Sequence, residues 1–279
     1  MQSRVTKTHG HCAGGGTRRF RRIARRLFAG VLFAVAIVGE AADVPAAATS
    51  SDAPAGAEMV RPGLYRINGV GGGMLLRSST DGLVVVDSGR PGSYPLLMTE
   101  IQRIAKSSDP QIRALVLTSA GAEQAGNVVQ FVEAGVPVIV QQHALARLSG
   151  NFRATPVRLV TYNTDYVLRV ADIRIDVEHV GRGRTGADSF VVFRELRVVG
   201  IGELFTAGTP EPDCSTGGSF AGWAAAIDHL LWSDFEIAVP SRGAPVGKRE
   251  LEAFKAKLEA LAARAASLPS GPSNCRPQR

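Results

Sequence analysis

An α+β sandwich, two β-sheets packed face to face with helices outside, is the fold class this sequence predicts, and three observations predict it. Apolar runs of strand length, such as Leu83-Val84-Val85-Val86 and Ile112 to Leu117, are punctuated by Gly, Asp and Pro through the middle of the chain. Longer stretches with apolar residues three and four apart, such as Tyr94 to Lys106 and Lys248 to Ala266, have the period of helices lying on a sheet. The second half repeats the grammar of the first, strands and then helices, so each sheet has its own helical cover.

The elements follow in order. Residues 1–42 carry an arginine-rich start, Arg18-Arg19-Phe20-Arg21-Arg22, then the apolar run Leu27 to Val38 and small residues, the three-part pattern of a secretory signal peptide. Its apolar run is shorter than the roughly 20 residues a membrane-spanning helix needs, so export is expected, to the periplasm or beyond, with membrane attachment only if the segment stays uncleaved. Arg18-Arg19 invites a twin-arginine reading, and Ala41 and Ala48 both suit a cleavage site. Residues 43–58, rich in Ala, Pro and Ser, read as a flexible linker, 59–268 as one domain, and 269–279 as a frayed tail.

Within the domain, Gly63 to Ile67, Gly73 to Arg77 and Gly82 to Asp87 read as strands. Tyr94 to Lys106 reads as a helix, Ile112 to Leu117 as a strand, Asn127 to Ala134 as a helix, Pro137 to Val140 as a strand and His143 to Leu148 as a short helix. The second half starts with strands at Val157 to Leu159, Tyr166 to Val170, Ile173 to His179, Ser189 to Phe193 and Leu196 to Ile201. A helix over Phe220 to Leu231, a strand over Ile237 to Pro240 and the amphipathic helix Lys248 to Ala266 complete it. Trp223, Ile227 and Leu231 share a helix face that points to core packing, and Trp232 and Phe235 are expected to close that helix's apolar side.

Charge and cysteines bound the function. The formal charge of +7 is concentrated in the leader: eight Lys/Arg and one acid precede Asp43, leaving 24 basic and 24 acidic residues after it. A nucleic-acid surface needs a clustered excess of cations on the folded domain, so no nucleic-acid partner is expected. Cys12 lies in the leader, leaving Cys214 and Cys275, which an oxidising compartment allows to pair and so pin the tail.

Five segments carry a resemblance. They are Leu83-Val84-Val85-Val86-Asp87-Ser88-Gly89, the loop Thr118-Ser119-Ala120-Gly121-Ala122-Glu123-Gln124-Ala125-Gly126-Asn127, Gly202-Glu203-Leu204-Phe205, Gly218-Ser219-Phe220-Ala221-Gly222-Trp223 and Val239-Pro240-Ser241-Arg242-Gly243. In this order and spacing, over Gly63 to Ala266, the chain resembles the metallo-β-lactamase superfamily. The resemblance implies an αββα sandwich of two mixed sheets with a site at one edge between them. There the family holds two zinc ions through T-H-x-H-x-D-H and further ligands, with an open position for a hydroxide nucleophile.

Every one of those ligand positions is altered. The loop histidines correspond to Ser119, Gly121 and Gln124 and the loop aspartate to Glu123; the remaining positions hold Arg184, Glu203 and Arg242. Arginine does not ligate cations, and its charge repels them. Glu123 and Glu203 are therefore expected to be neutralised by Arg184 and Arg242, with Asp87, His179 and Asp188 nearby, and no cofactor is expected. His143, His179 and His229 match no ligand position.

The resulting expectation is an exported, non-catalytic binding or scaffold protein, its partner a small anionic ligand gripped by Arg184 and Arg242 or another protein. The alternative is a divergent hydrolase acting on an ester, lactam, thioester or phosphodiester with a non-standard metal or none. Asp87, Glu123, Gln124 and Glu203 offer oxygens to a hard cation, and Glu123 offers a base. The glycine run Gly69-Val70-Gly71-Gly72-Gly73 lacks the Lys-Ser/Thr of a phosphate loop and reads as a flexible hairpin able to act as a flap over the site mouth.

Overall fold

The computed structural model describes residues 55–148 and 158–267. The signal peptide and twin-arginine readings, most of the linker, the start of the strand at Val157, Cys275 and the tail lie outside the described residues. The strands are β1 (Gly56–Arg61), β2 (Leu64–Asn68), β3 (Met74–Ser79), β4 (Gly82–Val86), β5 (Ile112–Val116), β6 (Val138–Gln141), β7 (Leu159–Tyr162), β8 (Asp165–Val170), β9 (Ile173–His179), β10 (Ser189–Phe193), β11 (Val198–Gly202) and β12 (Ile237–Pro240). The helices are α1 (Tyr94–Ala105), α2 (Ala122–Ala125), α3 (Val128–Glu133), α4 (Gln142–Leu148), α5 (Phe220–Leu231) and α6 (Lys248–Ser267).

Strands β1 to β7 form one sheet in sequence order, and β12-β11-β10-β9-β8 form the other. Both sheets are mixed. In the first, β1 to β4 pair antiparallel and β4 to β7 parallel, with helices filling the crossovers. In the second, only β11 and β12 run parallel, with α5 as their crossover.

The alternation of β4 shows how one strand serves two layers. Leu83 and Val85 face α1, α3 and α4, joining Leu97, Ile101, Phe131 and Leu148. Val84 and Val86 face the opposite sheet and meet Ile175, Val177, Val191 and Val239. On the far side of that second sheet, Phe190, Val192, Val199 and Ile201 pack under Trp223, Ile227, Leu251, Phe254 and Leu258 of α5 and α6. Three apolar layers thus separate helix, sheet, sheet and helix, and each buried large side chain contributes about 1.5–3 kcal/mol.

Several boundaries differ from expectation, each for a local reason. β1 starts at Gly56, inside the stretch read as linker, because its backbone pairs with β2 although Glu58 and Met59 face solvent. β7 extends the first sheet by pairing parallel with β6, so the division between the sheets falls after Tyr162. Leu196 belongs to a 3-10 turn, and the following strand begins only after Arg197 turns the chain at φ 53°. Phe235 is buried, whereas Trp232 is 86% exposed and closes no apolar side. None of the helices among the described residues is long and apolar enough to cross a membrane.

The ring of Phe254 lies 5.6 Å from Trp223 and 5.0 Å from Phe205, joining α6 to α5 and to the loop after β11. Phe254→Ala is expected to cost about 3–5 kcal/mol in urea unfolding. Trp232→Ala, at a position with no packing to lose, is expected to stay within about 0.5 kcal/mol. Equal losses would show that the helical layer is not anchored where the ring contacts place it.

Candidate functional site

The site lies where the C-terminal ends of β4, β5 and β11 meet the loops after β9 and β12. Asp87 leaves β4 at φ 66°, a left-handed conformation uncommon for a residue other than glycine. That turn aims its carboxylate at Thr118, which donates its backbone N–H at 2.8 Å and its hydroxyl at 2.8 and 3.0 Å to the two oxygens. Burial pushes Asp87 up to about 7 against those hydrogen bonds, with the neighbouring negative charge of Glu203 adding to the rise. A second Thr–Asp lock stands across the edge: Thr185 donates its N–H at 2.6 Å and its hydroxyl at 2.9 Å to Asp188, whose carboxyl is also raised by burial. Ser189 N–H donates to the Thr118 carbonyl at 2.9 Å and joins the sheets between the locks.

The loop after β5 is shaped by small residues and one buried amide. The Ser119 hydroxyl accepts from Gly121 N–H at 3.1 Å, a turn-closing role. Gln124 is fully buried, and neither atom of its amide meets a partner in the protein. A side chain at Gly121 would begin 2.6 Å from Gln124 Oε1 and 3.0 Å from Glu203 Oε2. The glycine and the glutamine are therefore coupled, because the glutamine fills the room a side chain at position 121 needs. Asn127 fixes the far end of the loop, donating its amide to Ser88 O at 2.6 Å and Arg90 O at 2.7 Å.

Arg184 comes from the loop after β9, which is held against the start of α5. Its carbonyl accepts from Asp213 N–H at 2.7 Å, and a Cβ at Gly218 would begin 2.0 Å from that oxygen. Ser219 caps α5 by accepting from Gly222 N–H at 2.9 Å, and Trp223 Nε1 donates to Leu204 O at 2.8 Å. Glu203, at the end of β11, receives Arg184 Nη1 at 3.1 Å. Burial raises its pKa, and Arg184 opposes that rise.

Arg242 follows β12. Ser241 N–H donates to Gly202 O at 2.8 Å, and Arg66 Nη2 donates to Gly243 O at 2.6 Å, so both neighbours of Arg242 are pinned. Its guanidinium grips Glu123 in two places, Nε to Oε2 at 2.9 Å and Nη2 to Oε1. Both expected Arg–Glu pairs thus close, one bidentate and one through a single oxygen. Exposed as they partly are, each is worth at most about 1 kcal/mol.

All seven altered positions meet in this cluster, with Asp87 and Asp188 beneath it. His179 points its Nδ1 to Asp188 O at 2.7 Å, and its ring centre is 6.2 Å from that of His143. Arg66 is the residue the sequence reading missed; an arginine two positions after Leu64 on an inward-facing strand was its signal. The glycine hairpin is no free flap. Gly69 to Gly72 are buried, Gly73 N–H donates to Ser241 O, and the Val70 carbonyl accepts from Arg90 N–H at 2.8 Å and Ser93 Oγ at 2.9 Å.

Above the pairs opens a cavity of about 190 Å³ bordered by Arg184, Arg242, Glu203, Glu211, Thr206 and Thr209, with Ser241, Phe205 and Trp223 completing its wall.

The sequence matches no family profile and no curated relative. The fold is shared by solved structures. A metallo-β-lactamase from Pontibacter korlensis is 19% identical with a TM-score of 0.64, over 74% of this chain and 99% of that one. The metallo-β-lactamase FIM-1 from Pseudomonas aeruginosa, in a mono-zinc form, is 18% identical with a TM-score of 0.62, over 78% and 99%. A stereoselective inverting sec-alkylsulfatase, Pisa1 from a Pseudomonas species, is 16% identical with a TM-score of 0.59, over 79% of this chain and 46% of that one. This chain has the metallo-β-lactamase fold.

Its edge residues do not fit a zinc ion. Of the four charged groups in the cluster two are guanidiniums, and both carboxylates beside them are engaged by those guanidiniums. Among the described residues no three His, Cys, Asp or Glu side chains gather as a ligand set. Of the oxygen donors weighed for a harder cation, Asp87 is committed to Thr118, Glu123 to Arg242 and Glu203 through one oxygen to Arg184, while the amide of Gln124 is unshared.

Because Asp87, Asp188 and Glu203 are all raised by burial, their neutral forms favour the folded state. Their contribution is present at low pH and lost as pH rises through the folded values. For Asp87 the window runs from 3.8 to about 7. Asp87→Asn, which tolerates the left-handed backbone, is expected to flatten the loss of stability across that window by a few kcal/mol, at about 1.4 kcal/mol per pH unit of displacement. Denaturant midpoints at stepped pH check it, and an unchanged slope contradicts it. Gly218→Ala is expected to cost about 1–3 kcal/mol by pushing the Arg184 backbone away, read as a lowered melting temperature; a neutral substitution would contradict the close packing there.

Proposed function

We propose that the protein is an exported, non-catalytic binding protein whose cleft takes a small carboxylate- or phosphate-bearing ligand through Arg184 and Arg242. One observation carries the reading: both guanidiniums border the same cavity while closed on glutamates below it. A guanidinium has five N–H donors, and Glu203 engages only Nη1 of Arg184 while Glu123 leaves Nη1 of Arg242. Each arginine thus keeps donors for an incoming oxyanion while its partner holds the fork in place.

Export rests on the leader's arginine cluster, apolar run and small residues. Cys214 supports it, being disulfide-bonded, and such a bond suits an oxidising compartment. The hydrolase alternative has one favourable feature, the near-neutral pKa of Asp87, but both its oxygens are bound by Thr118 and the residue is 3% exposed. It has no reach to a substrate. Glu123, the other candidate base, has both oxygens on Arg242.

Calorimetric titration with propionate and with inorganic phosphate tests the reading. At least one is expected to bind, and Arg184→Gln or Arg242→Gln to weaken that binding about tenfold, the loss of one charged hydrogen bond. Binding that neither substitution changes, or turnover of lactam, thioester, lactone or phosphodiester probes by the purified protein, would sink it.

A further inference from the structure

The charges around the cavity do not balance in favour of a simple anion. Arg184 is closed on Glu203 and Arg242 on Glu123, so both positive charges at the cavity are already answered. Glu211, exposed on the segment between β11 and α5, borders the same cavity and has no ion-pair partner among the described residues. Lys257 donates to Gly208 O near that segment but does not border the cavity, and Arg147 reaches Asp213 instead. Two guanidiniums against three carboxylates leave the cleft one negative charge in excess.

A ligand bearing only a carboxylate finds donors on the arginines and meets repulsion from Glu211. A ligand bearing an ammonium group as well satisfies both ends: its carboxylate takes the unshared guanidinium N–H groups, and its ammonium answers Glu211. At about 190 Å³ the cavity suits a small solute. The wall offers a short chain of that kind the hydroxyls of Thr206 and Thr209 and the half-buried ring of Phe205.

The geometry points to a compact amino carboxylate, a zwitterion of amino-acid size, as the ligand class of this cleft, held by Arg184 and Arg242 at one end and Glu211 at the other. This rests on the anion-binding reading above and adds the cationic half of the ligand.

The test titrates the full chain with alanine, β-alanine and γ-aminobutyrate, which step the distance between the charges, and with propionate and propylamine, which carry one charge each. At least one amino carboxylate is expected to bind about tenfold tighter than propionate. Glu211→Gln, at an exposed position, is expected to abolish that preference and to tighten propionate binding. Arg184→Gln is expected to weaken both. If propionate binds as tightly as every amino carboxylate and remains sensitive to Arg184→Gln, the zwitterion inference fails while the anion reading stands. If none of these probes binds, the zwitterion inference fails, and if inorganic phosphate does not bind either, the anion reading fails with it. A preference that survives Glu211→Gln would also overturn the role assigned to Glu211.

Discussion

Burying carboxylates at the edge of a two-sheet sandwich is the constraint around which this protein is arranged. Asp87, Asp188 and Glu203 lie where strand ends converge, and an unpaired charge there costs far more than a surface one. Two means of compensation appear side by side. The deeper acids, Asp87 and Asp188, each receive the backbone N–H and hydroxyl of a threonine, which supply hydrogen bonds without charge. The outer acids, Glu203 and Glu123, receive guanidiniums.

That division explains why the loops take the forms they do. A threonine lock requires its strand end to be rigid, and Ser189 N–H on Thr118 O provides this by tying one sheet to the other. A guanidinium pair requires the long arginine side chain to be aimed, which falls to the backbone beneath it. Gly218 and Asp213 fix Arg184, while Gly202, Arg66 and the glycine hairpin fix the turn that carries Arg242. The pairs themselves add little stability, being partly exposed. Their effect is to settle where two forks of N–H donors point.

Arg66 shows the cost of that arrangement. It is buried, its Nε has no partner among the described residues, and burial lowers its pKa while Glu58 counters this. Its remaining donors hold the carbonyls of Pro240 and Gly243. Gln124 is another uncompensated group, with a fully buried amide between Gly72 and Gly121. Arg66 and Gln124 both touch the site edge, where the cost of an unmet hydrogen bond is borne by the packing of the surrounding sheets.

Periodicity records burial, so the layers are legible along the chain: the continuous apolar run of β4 marks a strand covered on both faces, and the helical spacing of Trp223 with Ile227 and of Leu251 with Leu258 assigns those side chains to a buried face before any contact is known. The altered ligand positions and the opposite charges standing at them were legible too, since residue type and order along the chain are enough to line up a loop. Pairing and room are set by the folded chain. No local pattern says that β7 joins the first sheet, that Glu123 closes on Arg242, 119 residues away, or that the glycine hairpin is pinned by Ser241. Nor does any pattern reveal that Gly121 must stay small because Gln124 fills the space beside it. These depend on distances between segments remote in sequence, set by how the two sheets pack.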